Sequence, residues 1–211
     1  MGKLIILTGN TGVGKTTLAR ALARVGNFNL ALEQHAERPF QSLFKHDPRY
    51  ALANQVDYLL LRAEQERSLR ASPQTGLVDG GLDQDFHGFT RLFHARGLLS
   101  DTEFKLCRRL YAFCRAELPP PDLIIHLTAS TEVIQQRLAG RNRINLASAD
   151  DLSLLDSYLD EWLATLAPER LLRLDVSPVS PAYTEVIHSL LTRIRAMLGI
   201  DGGLYDTGYI P

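Results

Sequence analysis

A strand-sized apolar run, Leu4 to Leu7, opens the chain and leads at once into Gly9-Asn10-Thr11-Gly12-Val13-Gly14-Lys15-Thr16. The octet fits the pattern G-x-x-x-x-G-K-[ST] and stands where the physics needs it, after a buried strand and at the start of a helix. Its glycines let successive backbone N–H groups turn inward around a phosphate, and the helix N-terminus adds a favourable dipole. Lys15 supplies a charge to the β and γ phosphates, the Thr16 hydroxyl is a ligand for Mg²⁺, and Thr17 completes the expected phosphate contacts. A strand buried on both faces belongs inside a parallel sheet, so the rest of the chain must alternate strands with covering helices.

The remaining pattern meets that demand. Strands are expected at Phe28 to Leu32, Gly76 to Asp79, Leu123 to Leu127 and Leu171 to Leu174, five with the first. Helices are expected over Thr16 to Arg24, Tyr50 to Arg70, Asp83 to His94, Thr102 to Ala116, Thr131 to Leu138, Asp150 to Leu166 and Pro181 to Met197. The Pro39 segment reads as a loop with short helical pieces, and Pro119-Pro120-Pro121 as an extended connection. The fold class is therefore α/β, a three-layer fold of the P-loop NTPase type with a five-stranded parallel sheet and right-handed crossovers. One domain is expected over residues 1–198, followed by a glycine-rich polar tail, 199–211.

Composition narrows the partners. The 211 residues are 45% hydrophobic and 22% charged with a formal net charge of −1, which offers no general attraction to nucleic acid or an anionic membrane. Neither a signal pattern nor a membrane-length apolar run is visible, so a cytoplasmic setting is expected. Cys107 and Cys114, seven apart in a helical stretch, read as buried small hydrophobes rather than a disulfide or metal pair.

A P-loop alone does not separate kinases from other nucleotide hydrolases or switches. In open parallel sheets ligands bind outside the carboxyl ends of the strands, which directs Glu33, after strand two, and Asp79, after strand three, into the P-loop crevice. A hydroxyl acceptor must lose its proton, so Glu33 is the candidate base. Asp79 is the natural Mg²⁺ partner beside Thr16. The bland readings, a solvated acid at 33 and a turn-forming Asp-Gly at 79, stay open on position alone.

With these residues in place the chain resembles the deoxynucleoside kinases, in their bacterial branch, over most of its length from the P-loop to about residue 165. The resemblance rests on GNTGVGKTT, on Glu33 followed by Glu37-Arg38-Pro39-Phe40, and on Gln55 and Arg62 in the helix of residues 50–70. Further on it rests on Asp85-Phe86-His87-Gly88-Phe89-Thr90, Ser100-Asp101-Thr102-Glu103-Phe104 and Leu123-Ile124-Ile125-His126-Leu127-Thr128. It implies that Gln55 reads the base and that Arg62 lies near it. It also implies a helical lid in which Arg137, Arg141 and Arg143 close over the ATP phosphates, with Arg141 catalytic beside Lys15 and Glu33. Glu33, Phe44, Gln55, Arg62, Asp79 and Phe89 are the expected substrate contacts, and ATP with Mg²⁺ the cofactors. The implied reaction is phosphorylation of the 5′-hydroxyl of a deoxynucleoside. The long helices at 50–70 and 102–116 imply a homodimer, with a heterodimer with a paralogue as the other assembly.

Two departures stand out. Where the family usually has Asp-Arg-Ser or Glu-Arg-Ser after strand three, this chain has Asp79-Gly80-Gly81. The acid often found just after the lid arginines is replaced by Asn142, Ile144 and Asn145. Arg62, or Arg141 and Arg143, is expected to substitute for the missing arginine, while the two glycines open space for a bulkier acceptor. Two other readings follow: a weakly catalytic partner subunit of an active kinase, and a kinase for another small acceptor such as a nucleoside monophosphate.

Overall fold

β1 (Leu4–Thr8) is buried along its whole length, as an interior strand of a sheet covered on both faces must be. In a computed structural model, which describes residues 2–32, 38–139, 149–180 and 182–200, it pairs in parallel with β3 (Thr75–Asp79) on one side and β4 (Leu123–Thr128) on the other. β2 (Phe28–Ala31) extends the sheet beyond β3 and β5 (Leu171–Asp175) beyond β4, so the order is β2-β3-β1-β4-β5. The chain leaves β1 at the point where successive connections run to opposite sides, the place in such sheets where a crevice opens.

Alternation along β1 builds both layers. Ile5 and Leu7 face a core with Leu18 and Leu22 of α1 (Lys15–Val25) and Leu190, Leu191 and Ile194 of α9 (Ile187–Leu198). Leu4 and Ile6 face Leu69 of α3 (Ala51–Ala71) and Leu155, Leu159 and Trp162 of α8 (Ala149–Leu163). A third cluster holds Phe44 of α2 (Pro39–His46), Leu59 of α3, Leu82, Phe86, Phe93 and Cys107 of α6 (Asp101–Glu117). Both cysteines are buried free thiols. Ser100 opens α6 with a capping box, bonding the Glu103 N–H while Glu103 reaches back to the Ser100 N–H.

Three segments differ from expectation. The Pro39 segment contains a regular helix, α2, with Pro39 at its first position, where the missing N–H is not needed. The helix expected over 83–94 is α4 (Leu82–Gln84), a π turn (Asp85–Thr90) and α5 (Arg91–Ala95) in succession. The last helix starts at Ile187, not near Pro181. Tyr183 takes a left-handed backbone (φ 59°) that no helix accommodates, and its hydroxyl reaches the Gly14 carbonyl at 3.3 Å. α7 (Thr131–Ala139) leads towards the expected lid. Glu33, Arg141 and Arg143, and residues 201–211 of the tail, lie outside the described residues.

Candidate active site

The phosphate end is organised by the turn from β1 into α1. Gly14 caps α1 in a left-handed conformation (φ 111°), and a Cβ there would meet the Tyr183 hydroxyl at 2.4 Å, so only glycine fits. Asn10 is buried and braces the loop from within, accepting from the Thr11 N–H at 2.8 Å and donating to the Leu152 carbonyl of α8 at 2.8 Å. Lys15 Nζ lies over the loop, donating to the carbonyls of Gly9 at 2.8 Å and Asn10 at 3.0 Å. Arg137 of α7 closes the other flank, donating to the Val13 carbonyl at 2.6 Å and the Val176 carbonyl at 3.1 Å. Thr17 is exposed, and with Thr16, Arg20, Arg24, Ala182 and Thr184 it lines a groove of about 310 Å³ beside α1.

Register carries Asp79 to the same place. It pairs with Leu7, one residue before the end of β1, and Thr16 Oγ1 donates to its Oδ2. Asp79 is wholly buried, and its Oδ1 has no hydrogen-bond partner among the described residues. A buried carboxylate oxygen left unsatisfied beside a hydroxyl is a donor set suited to a hard divalent cation such as Mg²⁺.

Behind Asp79 stands a polar wall that α3 and the π turn build together. Arg62 is 3% exposed and donates through Nε to Asp85 Oδ2 at 2.7 Å; its Nη1 donates to the Asp79 carbonyl at 3.0 Å. The guanidinium also occupies the space that Gly80 leaves, since a Cβ at Gly80 would stand 3.0 Å from Arg62 Nη2. Of the arginines expected to fill that space, Arg62 is thus brought to it. Gln55, two helical turns earlier on the same face, donates through Nε2 to Thr90 Oγ1 at 2.8 Å and the Asp85 carbonyl at 3.3 Å. The π turn makes this possible, presenting the Asp85 carbonyl to the Thr90 hydroxyl (3.0 Å) as well as to Gln55.

The two aromatic candidates fall in different clusters. Phe44 packs on Phe93, ring centroids 5.2 Å apart, in the core beneath α3. Phe89 packs on the α8 side with Leu155, Leu159 and Trp162. Below the P-loop, burial pushes the His126 imidazole down to about 4, with Arg173 and Lys15 adding to the effect, so it is neutral at neutral pH. Burial pushes the nearby Asp156 up, against a hydrogen bond from Asn10.

Asp85, Thr90 and Gln84 carry no role that the sequence alone assigns. Asp85 opens the Asp85-Phe86-His87-Gly88-Phe89-Thr90 run that carries the resemblance, but it stands among other polar residues and its partner Arg62 lies 23 residues away.

The arrangement can hold a polyphosphate at one end and a small polar molecule at the other. The family model for deoxynucleoside kinases matches residues 5–198. A deoxyadenosine kinase of Dictyostelium discoideum is 32% identical over 143 residues, 67% of this chain and 58% of that protein. A deoxyadenosine/deoxycytidine kinase of Bacillus subtilis (strain 168) is 27% identical over 143 residues, 66% of each. The chain thus spans less than two thirds of these relatives' length. The fold is shared with a deoxyadenosine kinase from M. mycoides with bound dATP, at a TM-score of 0.74 and 18% identity, covering 90% of this chain and 98% of that one.

Proposed function

Because the chain belongs to the deoxynucleoside kinase family, we propose that it transfers the γ-phosphoryl group of ATP to the 5′-hydroxyl of a deoxynucleoside. The observation that carries the reading is the shared position of Thr16, Asp79 and Arg62: the cation-binding pair of the phosphate end touches the polar wall of the acceptor end. Phosphoryl transfer asks for that juxtaposition, since catalysis lies in positioning and charge stabilisation.

In this reading the backbone from Gly9 to Gly14 and the side chains of Lys15, Thr16 and Thr17 bind the phosphates, while Thr16 and Asp79 hold Mg²⁺. When bound, the ion neutralises charge on the β and γ oxygens. Arg137, Arg141 and Arg143 act from the lid on charge that spreads over the transferring group. Glu33 accepts the proton of the attacking hydroxyl. Phe44, Gln55, Arg62, Asp79 and Phe89 contact the acceptor. The kinase unit is residues 1–198, with 199–211 as a tail.

Labelled ATP, Mg²⁺ and each of the four deoxynucleosides, incubated separately with the protein, test the reading. A 5′-monophosphate that Glu33→Gln cannot make is the expected product. ATP binding with no turnover on any of the four would favour the partner-subunit reading, and turnover of monophosphates alone would favour the other acceptor.

We also propose a homodimer, formed through α3 and α6. Leu60 of α3 is 44% exposed, and Leu106 and Phe113, seven apart on one face of α6, are 45% and 68% exposed. Phe113→Glu should shift the mass seen by light scattering from two chains to one; an unchanged mass of two chains would place the interface elsewhere. No described helix is long and apolar enough to cross a membrane, which supports a cytoplasmic setting, and the near-neutral charge argues against a nucleic-acid polymer as partner.

A further inference from the structure

Asp83, Gln84 and Asp85 follow one another just after Gly80 and Gly81, and each is tied to a different element. Asp83 accepts from the Tyr111 hydroxyl of α6 at 2.7 Å and pairs with Arg115 of α6 at 3.2 Å. Asp85 holds Arg62 of α3. Between them Gln84, 2% exposed, turns the other way, and its Oε1 accepts the Gly9 N–H at 3.2 Å. A buried backbone N–H must find a partner. Gly9 lies just past β1, where the strand ladders have ended, and a side chain 75 residues away supplies that partner.

The turn that carries Gln84 is pinned on each side. Arg115 donates to both oxygens of Glu66 at 3.0 and 3.2 Å, and Glu66 Oε1 accepts the Leu82 N–H at 3.3 Å. Leu82 and Asp83 are thus clamped to α3 and α6 immediately before Gln84, and Asp85 to α3 immediately after it. A side-chain amide held so tightly fixes whatever it bonds, because it cannot follow a moving loop.

We propose that Gln84 is a positioning residue of the phosphate-binding loop, locking the first residue of that loop to the turn that also carries the acceptor wall. This rests on the reading of the loop as an ATP site. Gln84 contacts the backbone of the loop, so its effect falls on how the loop is presented to the donor. Acceptor recognition runs instead through Asp85 and Arg62, which a change at Gln84 leaves in place. Donor and acceptor are then held by one rigid unit rather than by two independent loops.

Gln84→Met keeps the length and the burial but removes the acceptor atom. Titration calorimetry with ATP and Mg²⁺, no acceptor present, should show affinity reduced about tenfold, the effect of leaving one buried donor unpaired. In turnover the KM for ATP should rise similarly while the KM for the deoxynucleoside stays within twofold. A folded Gln84→Met protein that binds ATP as the unaltered one does would overturn the assignment. Should that variant fail to fold, amide hydrogen exchange on the unaltered protein decides. The Gly9 amide should be protected like those of Ile5 to Leu7, and exchange at the rate of an open loop would overturn the assignment. Absence of any ATP binding by the unaltered protein would instead sink the functional reading, leaving the Gly9 amide to judge Gln84.

Discussion

Lys15→Met should lower kcat/KM for phosphoryl transfer by about a thousandfold, the scale on which removing one charge-stabilising donor acts in an enzyme site. The ammonium sits over the loop on the Gly9 and Asn10 carbonyls, within the ring of backbone that would surround a polyphosphate. In the proposed reaction it is the charge that serves the β and γ phosphates. Methionine fills similar space without it. The two carbonyls it leaves retain other lone pairs, so the thermal midpoint should move little. Steady-state kinetics with saturating acceptor, together with a melting curve, separate lost chemistry from lost structure. A fall of less than tenfold in a well-folded variant would mean that the charge stabilising the transferring group comes mainly from elsewhere, the lid arginines first.

Arg62→Leu should cost stability as well as activity. Arg62 and Asp85 form a buried ion pair, their side chains 3% and 7% exposed, and removing the cation takes the 2.7 Å guanidinium contact from a carboxylate where water does not reach. Breaking such a pair costs about 3 to 5 kcal/mol. For a chain of this size that is on the order of 10 °C in the melting midpoint. Replacing both partners, Arg62→Leu with Asp85→Asn, should recover much of the loss, because the buried negative charge that Arg62 balanced is then gone as well. Activity should stay low in both variants, since the guanidinium that fills the Gly80 space and holds the Asp79 carbonyl is gone. Denaturant unfolding of the single and double variants is the measurement. A loss below about 1 kcal/mol for Arg62→Leu would show that Asp85 is satisfied without it.

The same geometry revises the meaning of Gly80-Gly81. From the sequence, two glycines in place of a family arginine read as open space. In the fold Gly80 has a left-handed backbone (φ 85°) with the Arg62 guanidinium packed against the position of its missing Cβ. Returning an arginine to position 80 would therefore strain the backbone and crowd the guanidinium already present.

Much of the architecture was legible because its causes are local. An unbroken apolar run makes a central strand, and a 3.6-residue period makes α1. The octet Gly9 to Thr16 needed only its neighbours to be recognised. Local rules also failed in instructive ways. The π turn at Asp85–Thr90 keeps a helical pattern, so nothing in the period betrays it, and the late start of α9 follows from Tyr183 reaching across to Gly14.

What the sequence determined by itself was the parallel α/β class, the glycine-rich octet between β1 and α1, and the acids and amides available to a site. What the tertiary structure decided was which of them meet. Arg62 finds Asp85 across 23 residues, Gln84 finds Gly9 across 75, and Arg137 finds Val13 across 124. Such pairings leave no periodic trace, because each is set by how helices pack on the sheet and by which buried polar atom would otherwise go unsatisfied.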